Sequence, residues 1–454
     1  MARAPSPIRC GLVASTWEGA FAQAFVTWTS GVFIVDFARK LGAGNQGLGL
    51  LAALPFFAQT LQLATAWMFE RSLEGRRSFT TRTLVLARLL WLVPAALALG
   101  LLPRSAGLGV FLAVVATSSL LLTAGAHGWQ SWMVDLVPVG VRGRYFGFRS
   151  VVAAVVAIAA AFAGGRVLDA FEASGPGLSG FGVVYALAAG AGVLAWVAIR
   201  AQHHPAPRQE GPPAPVLVLW REIWAKPEHR RIFAFFVAWN AALGVAVPFW
   251  AKYMKEGLGL SAGAIGVQGT IGSLVGAALF PMWGRLIDRV GLRPVLLANA
   301  LSISAIPFLW LFARPGFVLP VWIDAFAVGV FWTGFNLAAL NVPLSAAPAR
   351  GRAAFIGVFG ALTGVAMGTA CLVGGAVASA LGDGERVVLG LTLSTPQLMF
   401  LASGVLRFAS LPLAMRMPDP REKSVVFLFG VMGTAVRQRL NLGRLVLTAP
   451  WRKK

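Results

Sequence analysis

Twelve apolar stretches, most of them close to the roughly 20 residues a helix needs to cross about 30 Å of hydrocarbon, constrain this chain more than anything else in its sequence. They run over 17–38, 47–69, 83–102, 108–137, 150–171, 181–199, 232–253, 265–282, 295–312, 318–340, 355–380 and 397–415. In lipid each segment has to satisfy its own backbone N–H and C=O groups, so each stretch is expected to be helical. An all-α integral membrane protein follows. The 52 glycines fit it, because helices packed closely in a bilayer favour small side chains.

A formal charge of +22 would point to nucleic acid in a soluble protein, but its distribution here gives topology instead. Of the 39 lysines and arginines, 29 fall in the two tails and in alternate gaps, about 8 fall on the other side, and Arg88 and Arg407 lie within segments. Basic residues are retained on the cytoplasmic side, which places both termini there and removes the case for a nucleic-acid partner. Met1 to Cys10 carries Pro and Arg, and no small-residue cleavage site follows the first segment, so no cleavable signal is expected. Cys10 and Cys371 are too far apart for a disulfide framework, and the four histidines have no metal-ligand spacing. No phosphate loop for ATP is present. Neither metal nor cofactor is expected.

The proline-rich stretch 201–231 divides the segments six and six. This gives a cytoplasmic tail 1–13, a six-helix bundle 14–200, a linker 201–231, a second bundle 232–416 and a basic tail 417–454. The halves repeat. Glu70-Arg71 to Arg77 after segment two is echoed by Gly284 to Arg293 after segment eight, and Arg142-Gly143-Arg144 by Arg350-Gly351-Arg352. Gly147, Gly164 and Gly165 match Gly357, Gly374 and Gly375 at a constant offset of 210. Internal repetition of a six-helix unit is a signature of several transporter architectures.

Over residues 14–416 the chain resembles the major facilitator superfamily, most specifically in the Gly-x-x-x-Asp-Arg-x-Gly-x-Arg stretch at Gly284 to Arg293. The stretch from Trp129 to Gly147 is similar to a bacterial branch of that superfamily whose substrates are mostly unassigned. The resemblance implies twelve transmembrane helices in two six-helix bundles with pseudo-two-fold symmetry, a place in the bacterial inner membrane, and transport by alternating access. It also implies a conformational latch at helix ends on the cytoplasmic side. There Arg71, beside Glu70, would engage Asp135, and Asp288 with Arg289 would hold the C-terminal half against segment eleven. Arg77, Arg142, Arg144 and Arg293 belong to the same motifs.

In such a fold segments one, four, seven and ten line the central cavity. Their candidate substrate-binding residues are Gln23, Trp28, His127, Gln130, Trp239, Asn240, Trp332 and Asn336, with Asn240 and Asn336 the matched pair from equivalent helices. Buried amides and indoles suit a small organic solute that is uncharged or weakly charged. The competing reading is that each one bonds a neighbouring helix, a contact worth about 1 kcal/mol.

Ionisable residues inside segments are expensive and therefore informative. Glu18 reads either as the end of a Ser15-x-x-Glu18 capping box or as a proton-coupling carboxylate, and Asp324 as a second proton-coupling candidate. Asp36 and Asp324, near the outer ends of segments one and ten, can equally be simply solvated, and Arg88 is expected to snorkel to the cytoplasmic headgroups. Arg407 has no evident partner. The apolar run Val425 to Met432, flanked by Arg437, Arg439 and Arg444, suits an amphipathic helix on anionic inner-leaflet lipids. Together these readings describe a monomeric, proton-coupled secondary transporter of a small molecule, with no enzymatic step. The alternative is a receptor or assembly factor that keeps the fold and moves nothing.

Overall fold

The computed structural model describes residues 7–71, 75–103, 107–138, 141–173, 177–203, 220–221, 224–348, 352–388 and 390–417. Most of the linker, and the C-terminal tail with its expected amphipathic helix, lie outside these residues. Within them twelve helical spans are long and apolar enough to cross a bilayer. Spans 1 to 6 are Ile8–Lys40, Asn45–Thr65, Arg76–Ala98, Gly107–Gln130, Tyr145–Ala173 and Ser179–Arg200. Spans 7 to 12 are Pro227–Gly257, Ala262–Val290, Leu292–Leu309, Leu319–Ala346, Phe355–Leu381 and Thr395–Met415. This is a multi-pass membrane protein.

Several helices run past the apolar windows that announce them, because a polar turn outside the hydrocarbon still closes its own hydrogen bonds. Span 1 starts at residue 8 instead of 17, and span 8 continues to residue 290 instead of 282. Some spans are interrupted. Span 3 breaks between Leu89 and Leu92, where the Pro94 ring would crowd the carbonyl four residues earlier. Spans 7 and 10 each contain a π-helical turn, Tyr253–Gly257 and Val328–Trp332, an irregularity that widens a helix locally and re-aims side chains.

Spans 1–6 pack as one bundle and spans 7–12 as another. The two meet chiefly along span 2 against span 11 and span 5 against span 8. At the first seam the backbones nearly touch. A Cβ on Gly49 would lie 2.6 Å from the Cys371 carbonyl oxygen and 2.9 Å from the Gly375 Cα, so only glycine lets the helices approach this far. Each bundle also carries an aromatic cluster. Phe37, Phe111, Phe181 and Tyr185 interlock in the first, with the Phe37 and Phe111 centroids 5.0 Å apart. Trp250, Trp310 and Phe400 do so in the second, where Trp250 and Phe400 stack at 4.0 Å.

Spans 11 and 12 are joined by an antiparallel hairpin, Glu385–Val388 with Leu391–Ser394, which the hydropathy pattern does not announce. It marks one face of the protein, here termed the hairpin face. The opposite ends of the spans carry the arginine-rich loops.

Candidate functional site

Charged residues at the hairpin face tie the two halves together. Arg39 of span 1 donates from Nε and Nη2 to the Glu256 carboxylate of span 7 at 2.6 and 3.2 Å. Lys255 of span 7 stands 3.9 Å from Asp36 and 3.6 Å from Glu172, and Lys40 donates to Glu172 at 2.7 Å. Deeper, the buried Lys252 Nζ donates to Asn45 Oδ1 of span 2 at 2.6 Å and to Asp383 Oδ1 at 2.8 Å. Asp36 is therefore not simply solvated. Only 8% of it is exposed, because the opposite half covers the end of its helix.

The exposed pairs contribute about 0–1 kcal/mol each, so Lys252, which has lost its water, is the part that matters most. Its hydrogen bond holds the Asp383 carboxyl below the usual carboxylate range. A depressed carboxylate stabilises its contact above its ordinary pKa of 3.8 and loses that contribution only as the pH falls through the lower, folded-state value. Asp383 should therefore leave this clamp unchanged between pH 5 and 8, a result readable as constant accessibility of a cysteine introduced beneath the hairpin.

The arginine-rich face has a different character. Several of its polar contacts lie within one half: Arg76 Nη2 to Asp135 Oδ2 at 2.8 Å, Arg77 Nη2 to the Arg200 carbonyl at 2.7 Å, and Arg293 Nη1 to the Met417 carbonyl at 3.0 Å. Asp135 is thus held by Arg76, which the sequence offered only as a topology charge and not as the partner. The side chains of Glu70, Arg71, Arg142 and Arg144 lie outside the described residues. Asp288 and Arg289 are exposed, with no ion pair among the described residues.

Glu18 is not a cap. Its helix begins at Pro7, so Glu18 sits midway along Pro7–Trp28, where no free amides remain to be capped. Its carboxylate accepts from Arg88 Nη2 of span 3 at 3.2 Å and from Arg149 Nη2 of span 5 at 3.0 Å. Arg88 does not snorkel either. It lies twelve residues into span 3 and is 3% exposed.

The cavity candidates separate into two groups. Trp332 and Asn336 line a cavity of about 210 Å³ between spans 8 and 10, together with Gln268 and Thr333. Beside it the buried Asp324 Oδ2 accepts from Gln268 Nε2 at 3.0 Å. Gln130 is exposed, and His127 Nδ1 lies 3.3 Å from Thr65 Oγ1. Other candidates are committed to packing. Trp239 is 1% exposed and stacks on Phe335 with centroids 4.9 Å apart, because the indole faces its own bundle. Trp28 Nε1 donates to the Ala160 carbonyl at 2.7 Å, Gln23 Nε2 to Thr27 Oγ1 at 3.5 Å, and Asn240 Nδ2 to the Phe236 carbonyl one turn back at 2.8 Å. No hydrogen bond joins Asn240 to Asn336 among the described residues. Arg407 faces protein, donating to Ser403 Oγ at 3.1 Å and to the Ile303 carbonyl at 3.2 Å.

Twelve spans in two bundles match known proteins. The family model described as Major Facilitator Superfamily matches residues 232–450, the half that carries the Gly284 to Arg293 motif. The C-terminal half thus carries the sequence pattern of the major facilitator superfamily. No curated protein sequence matches the chain. Solved structures of transporters superpose on about nine-tenths of it. A mutant of the nucleoside transporter NupG superposes with a TM-score of 0.66 at 13% identity, over 89% of this chain and 99% of that one. A D-xylose-proton symporter gives 0.65 at 14% identity, over 92% and 100%. The xylose transporter XylE from E. coli, in a partially occluded inward open conformation, gives 0.64 at 12%, also over 92% and 100%. At these identities the likeness is one of fold. The superfamily binds small molecules within the membrane, which directs attention to the polar groups between the bundles.

Arg149 stands just before the apolar window of segment five, and only a helix that already starts at Arg142 brings it into the bundle; hydropathy singles out neither it nor Gln268.

Proposed function

We propose that this protein is a secondary transporter that moves a small, uncharged or weakly charged organic solute by alternating access, in the bacterial cytoplasmic membrane with both termini inside. The observation that carries this reading is the clamp. The polar contacts that cross between the halves gather at the hairpin face, which the arginine distribution assigns to the outside. Contacts of this kind can be exchanged for water when the halves rock, whereas a static scaffold gains nothing from leaving them to charge pairs. Glu18 and Asp324 are the carboxylates proposed to couple the cycle to protons, because each is buried in a different half beside a polar partner.

The test is flux into vesicles containing the purified protein, with nucleosides and pentoses as first probes because similar structures carry them. Saturable, pH-gradient-driven uptake is expected. Specific binding without any flux would favour the receptor alternative. An Asp324→Asn variant that kept pH-driven accumulation would remove that residue from coupling. Asp288→Asn is expected to insert normally and to transport at least about tenfold more slowly, since a latch pair is worth 1.4 kcal/mol or more in the state that forms it. Full activity would remove the latch.

A further inference from the structure

The Glu18 cluster does not balance its charge. Two guanidinium groups, Arg88 and Arg149, share one carboxylate, and no second acid pairs with either among the described residues. The groups facing the cluster from neighbouring elements include Ser15 and Gly19 of span 1, Trp129 and Met133 of the span 4 helix and Gly192 of span 6, with no further carboxylate among the described residues. A net positive charge is thus held inside the bundle, where an uncompensated ion costs several kcal/mol.

Arg88 shows where compensation is missing. It is 97% buried, yet its Nε and Nη1 have no hydrogen-bond partner. Arg149 is the accessible member of the pair. About a fifth of its side chain is exposed (21%), its Nε donates to the Ser15 carbonyl at 3.3 Å, and the guanidinium lies 4.5 Å from the Trp129 ring centroid. Span 1 makes room for it with glycine. A Cβ on Gly19 would stand 2.6 Å from Arg149 Cζ. A guanidinium held between a glycine and an indole, with Nε on the Ser15 carbonyl and Nη2 on Glu18, keeps one orientation, and the N–H that Glu18 occupies is the one an incoming oxyanion competes for.

We propose that Arg149, backed by Arg88, is a binding site for a monoanionic oxyanion group of the transported solute. The solute's carboxylate, or a phosphate carrying a single negative charge, brings the cluster to neutrality and competes with Glu18 for Arg149. This rests on the transporter reading and narrows its substrate class. One negative charge fits; two would overcompensate a site that lacks one.

The test uses the full-length protein in detergent, with acetate, lactate and benzoate as carboxylate probes, inorganic phosphate as the second arm and D-xylose as the uncharged control. Thermal shift and tryptophan fluorescence read binding. At least one anion should raise Tm saturably, and Arg149→Gln should weaken that binding at least about tenfold, with partial recovery in Arg149→Lys. Glu18→Gln should strengthen it several-fold, because the resident competitor is gone; a merely structural carboxylate would have the opposite effect. Carboxylate or phosphate binding that follows this pattern assigns the source. Absence of anion binding, or binding indifferent to both Arg149→Gln and Glu18→Gln, overturns the proposal. Flux of an uncharged solute with no anion affinity would overturn it and leave transport standing, whereas anion binding with no flux would do the reverse.

Discussion

Truncation of Glu18 to alanine should be the most damaging single substitution in the N-terminal half, lowering stability by about 3–5 kcal/mol. The magnitude comes from what is left behind. Arg88 and Arg149 lose the carboxylate between them, and Arg88, 3% exposed, cannot reach water in exchange. Thermal unfolding in detergent should therefore show a Tm several degrees or more below the parent. Replacing both members of the fully buried pair, Glu18→Leu with Arg88→Met, should recover most of the loss, because no buried charge then lacks its partner and Arg149 retains exposed surface. A Glu18→Ala protein that melts with the parent would sink the account of this cluster as a buried, charge-coupled unit.

Glu18 also shows what the sequence makes legible and what it withholds. The hydropathy pattern reports the cost of transferring a segment into lipid, so it finds all twelve spans. It does not report where a helix starts in water, and a start at Pro7 in place of residue 17 turns an apparent cap into a mid-helix carboxylate. Nor does it pair residues far apart in sequence. Glu18 and Arg88 are 70 positions apart, as Arg76 and Asp135 are 59, and only the packing of spans 1, 3, 4 and 5 brings them together. The same limit explains Trp239. An indole on a cavity-lining helix faces the cavity or its own bundle according to a rotation of the helix, and here it stacks on Phe335. Trp332 and Asn336, four residues apart on span 10 and hence on one face, line a common cavity, but its other wall is span 8 and not the cavity helices of the opposite half. The clamp was the least visible part. Its acids and bases lie mostly at the outer ends of spans 1, 5 and 7, where each residue alone reads as solvated.

Lys252→Met should shift the balance between conformations at least about tenfold toward one open at the hairpin face. Methionine keeps the length and apolar bulk of the stem, so the change falls on the ammonium that joins Asn45 of one half to Asp383 of the other. Spin labels at Leu101 and Phe317, both exposed near the hairpin-face ends of different halves, would report the separation once the exposed Cys10 has been replaced. A longer distance should gain population in Lys252→Met. Arg39→Ala is the informative contrast. Its partner Glu256 is 39% exposed on its side chain, so water replaces most of what is lost and the shift should stay within about 1 kcal/mol. If both variants leave the distances unchanged, the halves are held by the glycine seam at Gly49 and Gly375, and the ionic contacts only follow the closure that packing imposes. If Lys252→Met opens the face while Arg39→Ala does not, burial distinguishes the contact that sets the conformational balance from those that accompany it.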